Sequence, residues 1–412
     1  MFQRLSRILG CGLVALTMAA LSGGASAQKV LDEFQIHHPS LSYDGRYLAF
    51  DFYLAGRDRR PVSHNMIAIY DLEQESVQLH IAPPPRGFYW PSFSPDGQYL
   101  TMIQRCWTPE CSDDEVGTNI GLLHLDSGRF RLLTTAEHKQ HRDAIFSNMQ
   151  PKIFMTLRST PVFSNDMAKI YYSYGVGPTK NFSSPLTVPD YWTGQANKIG
   201  QADVLSGIEK DVVGEKEYGV SSISWLSATD DRIYFVEASN QRGEVGKKWY
   251  KLGAKAGFMD LKSNNIQILF ENTPYFDPTQ IFNFLFPENL TQEEIRRFGN
   301  FLPASLSASR DGSSMVFTFR YLREYAKNFE TIPAERVYFM RNGEIEGAYL
   351  PNIEMIKYSS VSDVAISGDG KTVATFMINN SDFIAVANFE NRVFKLKNLR
   401  EKLRKEINSR AN

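Results

Sequence analysis

A short phrase returns along this chain: an apolar residue, a Ser, a variable residue, an Asp and usually a Gly. It reads Leu41-Ser42-Tyr43-Asp44-Gly45, Phe93-Ser94-Pro95-Asp96-Gly97, Phe163-Ser164-Asn165-Asp166, Ala308-Ser309-Arg310-Asp311-Gly312 and Ile366-Ser367-Gly368-Asp369-Gly370, with a weaker copy from Trp225 to Asp230. An Asp side chain accepts from nearby backbone N–H groups, and Gly enters positive φ without a Cβ penalty, so each copy is the corner of a β-hairpin. Asp44, Gly45, Asp96, Gly97, Asp166, Asp230, Asp311, Gly312, Asp369 and Gly370 are therefore assigned to turns, not to a carboxylate cluster that does chemistry.

Strands of alternating polarity flank the phrase. In the second copy Pro91–Ser94, Tyr99–Ile103, Asn119–Leu125 and Phe130–Thr134 read as a four-stranded antiparallel meander. Tyr47–Asp51, Met66–Tyr70 and Val77–Ile81 repeat it in the first copy. No strand–helix–strand rhythm occurs, which argues against a parallel sheet. Four-stranded sheets with two apolar faces must stack on neighbours, and radial stacking into a ring leaves only short edges. The expected fold is all-β: a six-bladed β-propeller of four-stranded antiparallel blades. The copies lie further apart than the about 40–50 residues of a bare blade, so insertions are expected at 136–159, 177–195 and 274–303. The last should carry a short helix capped by Thr291 and Glu294. Ring closure has two readings: residues 392–397 supply the last blade's fourth strand, or residues 29–36 return to complete it.

Phe93-Ser94-Pro95-Asp96-Gly97-Gln98-Tyr99-Leu100 resembles the propeller repeat of the TolB family and of the propellers that precede the catalytic domain in prolyl-oligopeptidase-type peptidases. The resemblance spans most of the chain beyond residue 27 and implies the propeller fold. It implies no reaction, because the repeat occurs in binding proteins and enzyme accessory domains alike. The sequence departs from the pattern where Met167 follows Asp166 and where Arg232 stands in the fourth copy. Residues 28–38 are too few for the α/β domain that precedes the TolB propeller. The peptidases' serine elbow has no counterpart: Gly219-Val220-Ser221-Ser222-Ile223 lacks the closing Gly.

Arg4 and Arg7, an apolar run from Ile8 to Leu21 and the small residues Ala25-Ser26-Ala27 have the layout of a cleaved secretory signal over residues 1–27. The run is shorter than the roughly 20 residues of a membrane-spanning helix, so no transmembrane segment is expected after cleavage. A periplasmic or secreted location follows. With 45 Lys+Arg against 46 Asp+Glu the chain is nearly neutral, and no nucleic-acid partner is suggested. Past the signal only Cys106 and Cys111 remain, and in an oxidising compartment they read as a disulfide. Residues 398–412 read as a basic helix, with Leu399, Leu403 and Ile407 on one stripe that docks on the propeller (28–397).

No catalytic constellation and no cofactor motif stand out. His37, His138 and His141 are the candidates for a metal in a propeller channel, but no third ligand follows at a recognisable spacing, so ordinary loop histidines are favoured. Tyr191, Trp192, Phe276, Phe282, Phe284 and Phe286 crowd the insertions. Such aromatic residues either form a contact surface for a protein or peptide or pin the insertions onto the blades. The expected function is a non-catalytic exported propeller that binds a protein or peptide in the cell envelope. A metal-assisted lyase or hydrolase and a carbohydrate-binding propeller are the alternatives.

Overall fold

The computed structural model describes residues 33–55, 63–83, 85–106, 110–112, 115, 117–134, 154–178, 198–213, 221–239, 242–245, 248–251, 254–272, 301–321, 337–349, 361–377 and 383–411. Among them stand six four-stranded antiparallel sheets, each a meander whose strands pair in chain order. Blade 1 is β1 (Glu33–Leu41), β2 (Tyr47–Ala55), β3 (Met66–Asp71) and β4 (Ser76–His80). Blade 2 is β5 (Gly87–Phe93), β6 (Tyr99–Cys106), β7 (Gly117–His124) and β8 (Phe130–Leu132). Blade 3 is β9 (Phe154–Phe163), β10 (Lys169–Pro178), β11 (Lys198–Asp203) and β12 (Glu209–Val213). Blade 4 is β13 (Ser221–Ala228) and β14 (Arg232–Ser239), then a separate hairpin of β15 (Arg242–Val245) and β16 (Lys248–Lys251), then β17 (Ala254–Asp260) and β18 (Ile266–Asn272). Blade 5 is β19 (Phe301–Ala308), β20 (Ser314–Tyr321), β21 (Val337–Arg341) and β22 (Glu344–Tyr349). Blade 6 is β23 (Val361–Ile366), β24 (Thr372–Met377), β25 (Phe383–Asn388) and β26 (Lys395–Asn398), and helix α1 (Arg400–Ala411) follows it.

The first strands line the axis: β1, β5, β9, β13, β19 and β23 touch in sequence, and β23 meets β1 again. Each pair of neighbouring blades shares one apolar cluster, so the core is six wedges rather than one centre. The period-two alternation of the sequence therefore does not separate core from solvent in the middle strands. All six residues of β3 are buried, because the sheet packs on both faces. Exposure belongs to the outer strands, as in β4 and β26.

Blade 1 is built wholly from residues that precede β5 and blade 6 wholly from residues that follow β22, so among the described residues no strand crosses the seam. Side chains, α1 and a backbone bond from Asp369 N to Tyr43 O join the two blades instead. Leu399 and Leu403 are fully buried in a cluster with Phe34, Phe52 and Leu79 of blade 1 and Phe376 and Ile384 of blade 6, and Ile407 packs against it. Lys397 Nζ donates to Leu72 O at 2.6 Å, and Asn398 Oδ1 caps α1 by accepting from Glu401 N.

The repeated phrase forms the β1–β2 type of corner. In five copies the Ser hydroxyl donates to the Asp at 2.6 Å. The same Ser oxygen accepts from the backbone N–H that starts the next strand, as from Tyr47 at 2.9 Å. Gly45, Gly97, Gly312 and Gly370 all have φ between 71 and 74°. Met167 takes that conformation at φ 58° in the third copy. The fourth copy corrects the reading of Asp230. There the corner is two residues shorter: Thr229 Oγ1 accepts from Arg232 N at 3.1 Å and faces Asp231, so Thr229 and Asp231 take the Ser and Asp roles. Asp230 occupies the variable slot and accepts from Asn165 Nδ2 of blade 3.

Candidate functional site: the axial cavity

The antiparallel meander sorts the connections between strands. Every tight corner, of the β1–β2 kind and of the β3–β4 kind, lies on one face of the ring, here called the turn face. Every longer connection, within a blade and between blades, starts from the strand ends at the other face. The insertion residues Tyr191, Trp192, Phe276, Phe282, Phe284 and Phe286, the histidines His138 and His141, the helix expected at Thr291 and the signal at 1–27 lie outside the described residues.

At the turn face the axis is closed by the variable residues of the phrase. Arg310 N donates to Gly368 O, Asp369 N to Tyr43 O and Asp230 N to Arg310 O, which links the corners of blades 4, 5, 6 and 1. Gly368 is required there, because a Cβ would stand 2.5 Å from the Tyr43 ring and 3.1 Å from Arg310 Cγ. The Arg310 side chain crosses the axis, with Nη1 donating to Phe163 O at 3.0 Å and Nη2 to Phe93 O at 3.1 Å. Burial pushes its guanidinium down to about 10, so it stays charged at neutral pH.

Above this plug lies a cavity of about 90 Å³, several times what one water molecule needs. Its first layer is Ser40, Ser92, Val162, Ser227 and Ser307. Three of these hydroxyls accept a backbone N–H from the next blade: Ser40 from Phe93 at 3.2 Å, Ser227 from Ala308 at 3.1 Å and Ser307 from Ile366 at 3.2 Å. They satisfy donors on the inner edge of the first strands, which no neighbouring strand pairs.

The second layer is His38, Trp90, Thr160 and Trp225. Every first strand carries a register shift near this level. In blades 1 to 3 a proline stands at it: Pro39, Pro91 and Pro161 cannot donate to the ladder, and they disfavour the right-handed helical region for the residue before them. His38, Trp90 and Thr160 take φ of 51, 50 and 48° and line the cavity, with Thr160 Oγ1 also 2.9 Å from Ser173 Oγ of β10. The sequence carries this signal as His38-Pro39-Ser40-Leu41-Ser42, Trp90-Pro91-Ser92-Phe93-Ser94 and Thr160-Pro161-Val162-Phe163-Ser164. A reading that starts the phrase at its apolar residue misses the Pro two places upstream.

Of the adjacent histidines, it is His38 that lines the cavity; His37 stacks on Tyr53, with ring centroids 5.8 Å apart. His38 Nδ1 lies 2.7 Å from Oδ1 of the fully buried Asp51, and its backbone N–H donates to Asp363 Oδ2 at 3.1 Å. Asp51 also accepts from Asn65 Nδ2 at 2.9 Å and from Trp90 N at 3.2 Å. The His38 ring stands 4.8 Å from Trp90 and 6.0 Å from Trp225. Behind Trp90 the buried Arg105 guanidinium lies 4.7 Å over its ring and 4.0 Å over Tyr89, and burial holds it below the usual arginine value. Among the described residues no three His, Cys, Asp or Glu side chains gather as metal ligands would.

Cys106 and Cys111 form a disulfide at the root of the β6–β7 connection, on the face opposite the corners. Nearby, Arg86 donates twice to Glu115, at 2.7 and 2.6 Å, and holds its carboxyl down to about 2. No helix among the described residues is long and apolar enough to cross a membrane.

No protein-family model matches the sequence, and no curated protein matches it. Solved structures similar to it include a chain of the nidogen/laminin complex, at 8% identity over 90% of this chain and 95% of that one, with a TM-score of 0.45. A prolyl endopeptidase is 10% identical over 88% of this chain and 42% of its own, with a TM-score of 0.42. Prolyl oligopeptidase B from Galerina marginata, bound to a 25mer macrocyclization substrate, is 11% identical over 91% of this chain and 43% of its own, with a TM-score of 0.44. This chain spans less than half the length of these two peptidase chains.

Proposed function

We propose that this protein is an exported, non-catalytic propeller that binds a protein or peptide in the cell envelope, at the face opposite the Ser-x-Asp corners. The segregation of the connections carries the reading. Tight corners leave the turn face little to vary and Arg310 plugs its axis, while the longer connections start from strand ends at the opposite face, and His38, Trp90 and Trp225 line the axial cavity. Loops on a rigid frame are where recognition residues gather, and aromatic side chains give large contact area at low entropic cost. The signal-like layout of residues 1–27 supports export, and the Cys106–Cys111 disulfide fits an oxidising compartment.

The test is site-specific photo-crosslinking in living cells, from Glu110 on the connection face and from Ser127 in the β7–β8 corner. Discrete protein adducts from position 110 and none from 127 are expected. Equal labelling from both faces contradicts the reading. So does turnover of a substrate by the purified protein that His38→Gln abolishes, which would favour the enzyme alternative.

A further inference from the structure

The axial cavity has a polarity that the binding reading does not use. Its floor is the Arg310 guanidinium, whose hydrogen bonds across the axis all go to neutral carbonyls, those of Phe93, Phe163 and Ala228. Its wall holds Ser40, Ser227 and Ser307. A serine hydroxyl has one proton to donate, and these three oxygens are already used as acceptors of backbone N–H groups. Each O–H is therefore the group left to serve the cavity, and accepting an N–H polarises it toward donation. Three donors and one cation thus converge on a space with room for a group larger than a single water. One acid, Asp230, lies at the floor, where its charge acts on Arg310 while its carboxylate accepts from Asn165 Nδ2. The others lie toward the other end: Asp51 is tied to His38, Asn65 and Trp90, and Asp363 to the His38 backbone. A buried cation whose own hydrogen bonds all end on neutral carbonyls is stabilised further by an anion that also satisfies the remaining donors.

We propose that the axial cavity is a binding site for a carboxylate group, held by Arg310 at its floor and by the hydroxyls of Ser40, Ser227 and Ser307 on its wall. His38, Trp90 and Trp225 line its entrance and give the carbon chain behind the carboxylate an aromatic collar. The group can come from a small free acid or from the C-terminal residue of a peptide; the second source rests on the peptide-binding reading above.

Calorimetric titration of the mature protein with sodium acetate and with neutral acetamide, at constant ionic strength, tests the site. Saturable acetate binding without acetamide binding is expected. Ser227→Ala and Ser307→Ala should each weaken acetate about tenfold, the worth of one hydrogen bond to a charged group. Ser127→Ala, on the turn face, should leave affinity unchanged. Arg310→Met removes structural hydrogen bonds together with the charge, so the serine variants carry the decision, provided their unfolding transitions stay cooperative. No saturable acetate binding, equal binding of acetamide, or unchanged affinity in both serine variants overturns the proposal.

Hexapeptide pools with free and with amidated C-termini then separate the sources. Preference for the free pool assigns the site to a peptide terminus. Acetate binding with neither pool bound leaves a small acid as the ligand and removes support from the peptide reading. Equal binding of both pools also assigns the cavity to a small acid and places peptide recognition elsewhere on the ring.

Discussion

Leu403 is the side chain through which the ring's closure can be measured. It is fully buried between α1 and blade 1, at a seam that no strand crosses among the described residues. Truncating a buried Leu to Ala costs about 2–5 kcal/mol, the spread depending on how far the site collapses. A helix lying on a sheet edge can settle into the gap, which puts Leu403→Ala near the low end, about 2.5 kcal/mol. For a ring of this size the unfolding entropy, at about 2 cal/mol/K per residue, converts that into a drop of only about 3 °C in Tm. Calorimetry alone would hardly resolve the cause, so the informative assay is native-state hydrogen exchange. If α1 clasps the seam, amides of β1, β4, β23 and β26 should exchange faster in Leu403→Ala while those of blades 3 and 4 keep their protection. Lys405→Ala, exposed on the same helix, serves as the control. Protection lost evenly over all six blades, or no loss at the seam, would refute the clasp.

Gly45→Ala and Gly97→Ala both force a side chain into positive φ, at a cost of about 1 kcal/mol. Only at Gly45 would the new Cβ also stand 2.4 Å from Thr372 Oγ1, whereas at Gly97 nothing lies within 4 Å. Urea unfolding should therefore show Gly45→Ala as the costlier change by about 1–2 kcal/mol, and equal costs would refute the close contact across the seam. Arg86 holds the folded-state Glu115 carboxyl at about 2, below its unfolded value of about 4.3. The pair's contribution is therefore complete above about pH 5 and fades as pH falls toward 2. Wild type should lose about 1–2 kcal/mol more than Glu115→Gln between pH 7 and pH 3, a figure reduced for partial exposure, and parallel pH profiles would contradict the ion pair. Replacing Cys106 and Cys111 by Ser should cost about 2 kcal/mol by loop entropy, since the disulfide closes only a short loop; an unfolding midpoint insensitive to the double substitution would remove that stabilising role.

The blades and their corners were legible because their causes are local. Ser42 and Asp44 bond to each other and to the backbone within a few residues, so the phrase reports a corner wherever it occurs. What the sequence concealed depends on more than one blade. Alternation along β1 could say that His37 and His38 face opposite ways, but which one lines the cavity depends on the register shift between His37 and Ser40. Asp230 looked like a corner carboxylate because Thr229 can replace Ser, and the shortened corner shifted the copy. Arg310 sat in a slot that is Tyr, Pro, Asn, Asp or Gly in other copies, and its partners Phe93, Phe163 and Ala228 lie in three other blades. The seam was ambiguous because α1 closes the ring by packing, and packing leaves no strand pattern.

The distribution of strain bears on whether the cavity is a by-product of ring closure. A positive φ at a non-glycine residue costs about 1–3 kcal/mol, and at β-branched Thr160 it is a clear outlier. If closing six blades required it, all six first strands would show it, since each has a register shift at that level. Yet Trp225, Ser305 and Asp363 hold the corresponding places in blades 4 to 6 without positive φ. Half of the ring closes unstrained, so the strain in blades 1 to 3 is not a demand of the architecture. It falls at His38, Trp90 and Thr160, which line one cavity together with Trp225. Strain held in one sector, at residues that line one cavity, is the distribution expected when the cavity itself has a function.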